Sequence, residues 1–249
     1  MPTPVPEMDL ILRFAMIVLT ASLAGHAARA QSILPGNYVT EGRWGTLAIE
    51  PDGRFRLDTI GANAHTCEVE AVIRGSKALT SEGCSIKFER SLDRVSVYPE
   101  PTTQEACRSH CGMRAAFQGD FFREIPACRE DPVKQERERF AKLYRGRRYR
   151  EAAEVLSTLL NRCGRFLYWL PDEAQVRNDL AVTYHHLSDD AACIGVLSPL
   201  RRTFVEDSRI TGRVFTPADQ PDGPEMVRIT RFNWQTCGGE VPQEGNVGR

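Results

Sequence analysis

From Gly36 onward apolar residues fall at every second position: Tyr38 first, then Leu47 and Ile49, then Phe55 and Leu57. A period of two marks half-buried strands. Between the runs, Pro51-Asp52-Gly53 has the chemistry of a tight turn, because Pro presets φ, Asp bonds the local backbone and Gly accepts φ > 0. Strands over 45–50 and 53–59 are therefore expected to pair. A second alternating run, Glu68 to Ile73, is broken at Gly75-Ser76 and resumes toward Cys84. With that dipeptide as the turn, Arg74 faces Lys77 and, counting outward, Cys67 faces Cys84. Ile86 and Phe88 pair with Val95 and Val97 across Ser91 to Asp93, and Pro99 and Pro101 end the run. Met113 to Phe122 adds a strand, with Gly119 as a bulge or close-approach site. Six or seven short strands joined by tight turns predict a small antiparallel β-barrel or sandwich.

Past Asp131-Pro132 the period changes. Tyr149, Ala152, Ala153, Leu156, Leu159, Leu160 and Cys163 recur at three and four, which predicts an amphipathic helix. A shorter helix precedes it through Phe140, Leu143 and Tyr144. A third starts at a capping box, Asp172-Glu173-Ala174-Gln175, and runs through Val176, Leu180, Tyr184 and Leu187; a fourth uses Cys193, Val196, Leu197 and Leu200. After a loop rich in Pro, Gly and Asp, a last helix from about Glu225 to Cys237, ended by Gly238-Gly239, is placed to cover the apolar face of the fourth. The fold class is α+β: a β-domain over 31–128, a helical-hairpin domain over 129–240 and a disordered tail over 241–249.

The first thirty residues change the compartment. Leu10 to Ala24 is a short apolar run with Arg13 near its start and Ala28-Arg29-Ala30 after it, the pattern of a secretory signal peptide. The run is shorter than the roughly 20 apolar residues that a spanning helix needs, so no membrane span is expected. Eight cysteines then follow in an exported chain, and disulfides are the expected state. Five (Cys67, Cys84, Cys107, Cys111 and Cys128) precede the helices and three (Cys163, Cys193 and Cys237) lie within or after them. Complete pairing thus demands a bridge between the halves, with Cys128 as the natural donor. Cys67–Cys84 and Cys163–Cys193 are the expected local bridges. A net charge of -1 and 41% hydrophobic residues argue against nucleic-acid binding and against wholesale disorder.

Arg148-Tyr149-Arg150-Glu151-Ala152 and Leu180-Ala181-Val182-Thr183-Tyr184 resemble pieces of the tetratricopeptide pattern, although Ala152 and Cys193, in matching places, are 41 positions apart against a period of about 34. The resemblance implies that the first helix of each pair lines a concave groove, which would gather Arg137, Tyr144, Arg145, Asn178, His185 and His186. Guanidinium groups there suit carboxylates, so an acidic envelope protein or peptide is the expected partner. Trp169, within the apolar run Phe166 to Leu170, is either part of a packed lid or an exposed anchor for a partner. The β-half loosely resembles periplasmic lysozyme inhibitors, without the Ser-Gly-x-x-Tyr loop of that family; this implies inhibition of a cell-wall hydrolase as the alternative role. Cys107, His110 and Cys111 also permit a thiol or zinc enzyme. No Ser-centred elbow, phosphate loop or His-Glu metal motif stands in the chain, so the reading is non-enzymatic and free of cofactor, with localisation in the periplasm or outside the cell. N-terminal sequencing of the exported protein is expected to begin near Gln31; a mature product that keeps the preceding residues would contradict cleavage of a signal peptide.

Overall fold

A computed structural model describes residues 33–61, 64–168, 172–206 and 223–241. The expected signal segment, Trp169 and the tail beyond Val241 lie outside them. Eight strands form a closed antiparallel barrel in chain order: β1 Gly36–Val39, β2 Gly45–Ile49, β3 Arg54–Ile60, β4 Thr66–Arg74, β5 Lys77–Leu79, β6 Ser85–Arg90, β7 Arg94–Pro99 and β8 Gly119–Arg123. β8 returns to β1 through Tyr38↔Arg123 and Val39↔Phe122, so no strand edge is left open. The alternation works as read: Leu47, Ile49, Phe55 and Leu57 point inward with Phe88 and Phe121, and Phe55 meets Phe88 edge-on at 5.1 Å. An eight-stranded barrel is just wide enough for side chains to fill it, and here aromatic and branched residues do so.

The turn at Pro51-Asp52-Gly53 forms as expected. Gly53, at φ 87°, donates to Glu50 O at 3.0 Å, and Asp52 accepts from Arg54 N at 3.0 Å. Arg74 does face Lys77. The expected Cys67–Cys84 bridge does not form, because β5 ends after three residues and the chain reverses again, with Thr80 N bonded to Cys84 O at 3.0 Å and Gly83 N to Thr80 O at 3.1 Å. Cys84 therefore lies beyond a second turn. It bridges to Cys107 on the short helix α1, Gln104–Arg108, while Cys67 bridges to Cys111. The strand expected over Met113 to Phe122 is confined to β8; the segment before it buries Phe117 in the barrel core and is tied by Thr59 Oγ1 to Ala116 O at 2.9 Å. Gly119 takes φ 153°, a conformation that favours glycine, while a Cβ there would meet the Trp44 ring only at ordinary contact distance, 3.4 Å.

Among the described residues five α-helices follow: α2 Glu130–Arg145, α3 Tyr149–Cys163, α4 Ala174–His186, α5 Asp190–Leu197 and α6 Gly223–Thr236. The α2/α3 and α4/α5 hairpins turn in the same way. Arg147 and Ser188 both take φ 58°. Arg148 N donates to Leu143 O at 3.0 Å, and Asp189 N to Tyr184 O at 3.0 Å. Each of these pairs is offset by 41 positions, the spacing already seen between Ala152 and Cys193. The expected capping box at α4 is absent: Glu173, its N-cap, makes no capping bond and instead binds Arg177, while Asp172 turns to Arg137. α6 covers α4 and α5 and ends as expected, with Gly238 at φ 83° and Gly239 N bonded to Trp234 O at 2.9 Å.

Three cores result. The first fills the barrel; the second joins Val39 and Phe122 of the barrel wall to Phe140, Leu156, Leu159 and Val176; the third lies among α4, α5 and α6 around Leu197, Phe204 and Trp234. This partition explains why the expected Cys163–Cys193 bridge is replaced: the two cysteines belong to different cores. Cys163 pairs with Cys128, across 5.3 Å between Cα atoms, and Cys193 with Cys237. Cys128 is thus the link between the halves, as the cysteine count required. Non-reducing peptide mapping is expected to recover these four pairs, and a peptide joining Cys67 to Cys84 would contradict the barrel's second turn. Replacing Cys128 and Cys163 together by Ser should lower stability by about 2–4 kcal/mol in denaturant titrations, the range for closing a loop of this size.

Candidate functional site

A cleft of about 870 Å³ opens between α2 and α4. Two adjacent rows of α2 face it at helical spacing. Val133, Arg137, Phe140 and Tyr144 form the inner row, with Val133 and Phe140 buried as the floor; Lys134, Glu138, Ala141 and Arg145 form the outer row, with the three charged groups exposed at the rim. Across from them stand Asp172, Gln175 and Asp179, spaced by three and four around α4 and its first turn. Phe166, Leu167 and Tyr168 close one end. Arg43 reaches in from the barrel, fixed by bonds to Cys128 O at 2.8 Å and to Glu124 at 3.0 Å.

The electrostatics of the inner end are dominated by burial. Arg137 Nη1 lies 3.2 Å from Asp172 Oδ1, yet the Asp172 carboxyl is raised, because loss of water outweighs the pull of Arg137 and Glu130 adds repulsion. Asp179 is raised further, to about 6, again by burial and against the same arginine. The Tyr144 phenol is raised by burial, with Tyr149 and Asp179 adding to it. At the rim, Arg145 Nε bonds the helix carbonyl of Ala141, at 3.2 Å. Neither Lys134 nor Arg145 is in an ion pair among the described residues, whereas Arg139 of α2 and Arg148 just after it are matched with Glu136 and Glu151.

Of the residues that sequence reasoning gathered into one groove, Arg137, Tyr144 and Arg145 line the cleft. His185 and His186 stand beside it. His186 stacks on Tyr149 at 4.4 Å and its Nε2 is 3.0 Å from Tyr144 Oη; His185 pairs with Asp190 at 3.3 Å. Asn178 is elsewhere. It is 3% exposed and points at α6, where its amide nitrogen donates to Thr230 at 2.8 Å and its oxygen accepts from Asn233 at 2.9 Å; the same nitrogen also donates to Ala174 O of its own helix at 2.9 Å. Its neighbour Asp179, which sequence reasoning missed, faces the cleft instead. The signal for it was the row of polar residues at 172, 175 and 179, which shares one face of a helix.

The eight cysteine sulfurs are all consumed by bridges, so Cys107 and Cys111 offer no thiolate for a nucleophile or a zinc site. His110 is instead bound to Thr80 Oγ1 at 3.1 Å. No group of acidic, His and Cys residues suited to a metal occurs among the described residues, and no helix among them is long and apolar enough to cross a membrane.

Asp179 makes the site costly to the fold. Its carboxyl holds a proton more tightly in the native state, at about 6, than at its ordinary value of 3.8. Stability is therefore lost as pH rises from about 4 through 6. Asp179→Asn is expected to stabilise the protein by about 1–3 kcal/mol at pH 7, with the gain fading as the pH is lowered to 4; denaturant titrations at both pH values check it. Family models, characterised proteins and solved structures compared with the chain gave no match.

Proposed function

We propose that this is an exported, non-enzymatic protein that binds another protein, or a peptide segment of one, in the cell envelope through the α2/α4 cleft. One observation carries the reading: the first helix of each of two matching hairpins faces the same concavity, and that concavity has an apolar floor under a charged rim. Such a division suits a partner segment, whose apolar side chains displace water from Val133 and Phe140 while its polar groups meet the rim. Four disulfides fit an oxidising compartment, which supports export. The barrel, by contrast, has its interior filled by its own side chains and serves in this reading as a support that sets Arg43 at the edge of the cleft.

Lys134 and Arg145 are the cations best placed for acidic groups of the partner, since Arg137 is already engaged by Asp172. They are exposed, so reversing their charge leaves the core untouched. The variant Lys134→Glu with Arg145→Glu is expected to keep wild-type stability and circular dichroism while losing capture of the envelope partner by at least about tenfold, a loss of 1.4 kcal/mol or more. Capture that survives this double reversal would move the binding surface away from the cleft.

A further inference from the structure

At the inner end of the cleft two carboxylates share one guanidinium. Arg137 bonds Asp172, and among the described residues it is also the cation whose charge opposes the rise of the Asp179 carboxyl. The Asp179 carboxyl accepts no hydrogen bond among the described residues; the bond that Thr183 Oγ1 donates to this residue, at 2.6 Å, goes to its backbone carbonyl. Nor is the carboxyl sealed, since no side-chain oxygen among the described residues is both fully buried and without a partner. It is therefore open to the cleft it lines and to whatever enters there. Phe140 and Tyr144 of α2 line the same cleft, with ring centres 5.5 Å apart, and Tyr144 feels the Asp179 charge.

An occupant that displaces water from this end must deal with that carboxylate. An apolar or acidic group would leave it desolvated and unpaired, which is strongly unfavourable. A cation would complete a set of two positive and two negative groups, and a long aliphatic stem ending in a charge would lie along the two rings, as lysine and arginine stems do on apolar surfaces. We propose that Asp179 is the anchor for a lysine or arginine side chain of the bound segment. The partner is then bipolar: a basic residue at Asp179 and acidic residues toward Lys134 and Arg145. The inference rests on the binding role proposed for the cleft and adds the chemistry of what occupies its inner end.

Proton linkage follows. The groups facing Asp179 are Arg137 and Tyr144 from α2, with Asp172 ahead of its own helix, Glu130 acting on Asp172, and His186 bonded to Tyr144. A bound cation favours the ionised carboxylate, so it lowers the midpoint of Asp179 from about 6, and cation affinity rises as pH rises through that value.

The test uses the mature protein with carboxyl-labelled aspartate, followed by NMR, and three blocked single-residue probes: N-acetyl lysine, norleucine and glutamate methylamides. The lysine probe is expected to shift the Asp179 carboxyl signal saturably and to lower its midpoint, with affinity about tenfold weaker one pH unit below the free midpoint than well above it. Norleucine, of similar shape without charge, and glutamate should do neither. Asp179→Asn should abolish the response to lysine. An equal response to norleucine, or none to lysine at tens of millimolar, overturns the proposal. Because no natural partner takes part, that failure is separate from the capture result with the rim variant.

Discussion

The bridge between Cys128 and Cys163 is the constraint on which the two halves depend. Cys128 stands where the chain leaves the barrel, and Cys163 where α3 ends, 35 positions later. Closing that loop fixes the α2/α3 hairpin against the barrel wall. Around it the contacts are continuous: Val39 of β1 and Phe122 of β8 leave the barrel surface to enter the core built by Phe140 and Leu156. Arg165, just past Cys163, lies over the Phe122 ring at 4.3 Å and pairs with Asp93 and Glu41 of the barrel loops. Barrel closure thus has a second consequence: the strand pair that removes the last open edge also supplies the apolar patch on which the helices sit.

The same junction positions the cleft. Arg43 is held between Cys128 O and Glu124, and Glu124 also binds Arg129 at 2.8 Å just before α2 begins. The edge of the concavity is therefore anchored to the barrel, its floor to α2, and its far wall to α4. α4 in turn is fixed from behind by α6 through the network of Asn178, Thr230 and Asn233. A buried polar network of this kind is favourable only when every member is satisfied, and here the amide of Asn178 uses both its donor and its acceptor. The rigid side of α4 carries a satisfied amide and the open side an unsatisfied acid.

That contrast marks what sequence alone could and could not tell. Alternation and turn residues were enough to place the hairpin at Pro51 to Gly53 and the pairing of Arg74 with Lys77, since both are decided by neighbours in the chain. Counting cysteines was enough to make Cys128 the link. The Cys67–Cys84 expectation failed because the length of a strand depends on where the chain next reverses, and Ser81-Glu82-Gly83, which is itself turn chemistry, cuts β5 short. The choice between Asn178 and Asp179 was harder. The polar row at 172, 175 and 179 marks one face of α4, but which face is covered is set by α6, some 50 positions away, so that row alone could not decide between the two neighbours.

The two hairpins show how one backbone plan yields a site with two different walls. With the 41-position offset, Glu138 corresponds to Asp179 and Arg137 to Asn178. The acidic positions both face the cleft; the other pair diverges. In the first hairpin the side that Arg137 occupies is open, and a charged residue lines the concavity beside Asp172. In the second, α6 covers that side, and only a neutral group that can both donate and accept fits there. Covering one hairpin and leaving the other exposed makes the pair asymmetric without changing its turns. Charge then lies in the cleft between the two hairpins, where a carboxyl raised by burial can persist because the disulfides and the covered face elsewhere hold the fold.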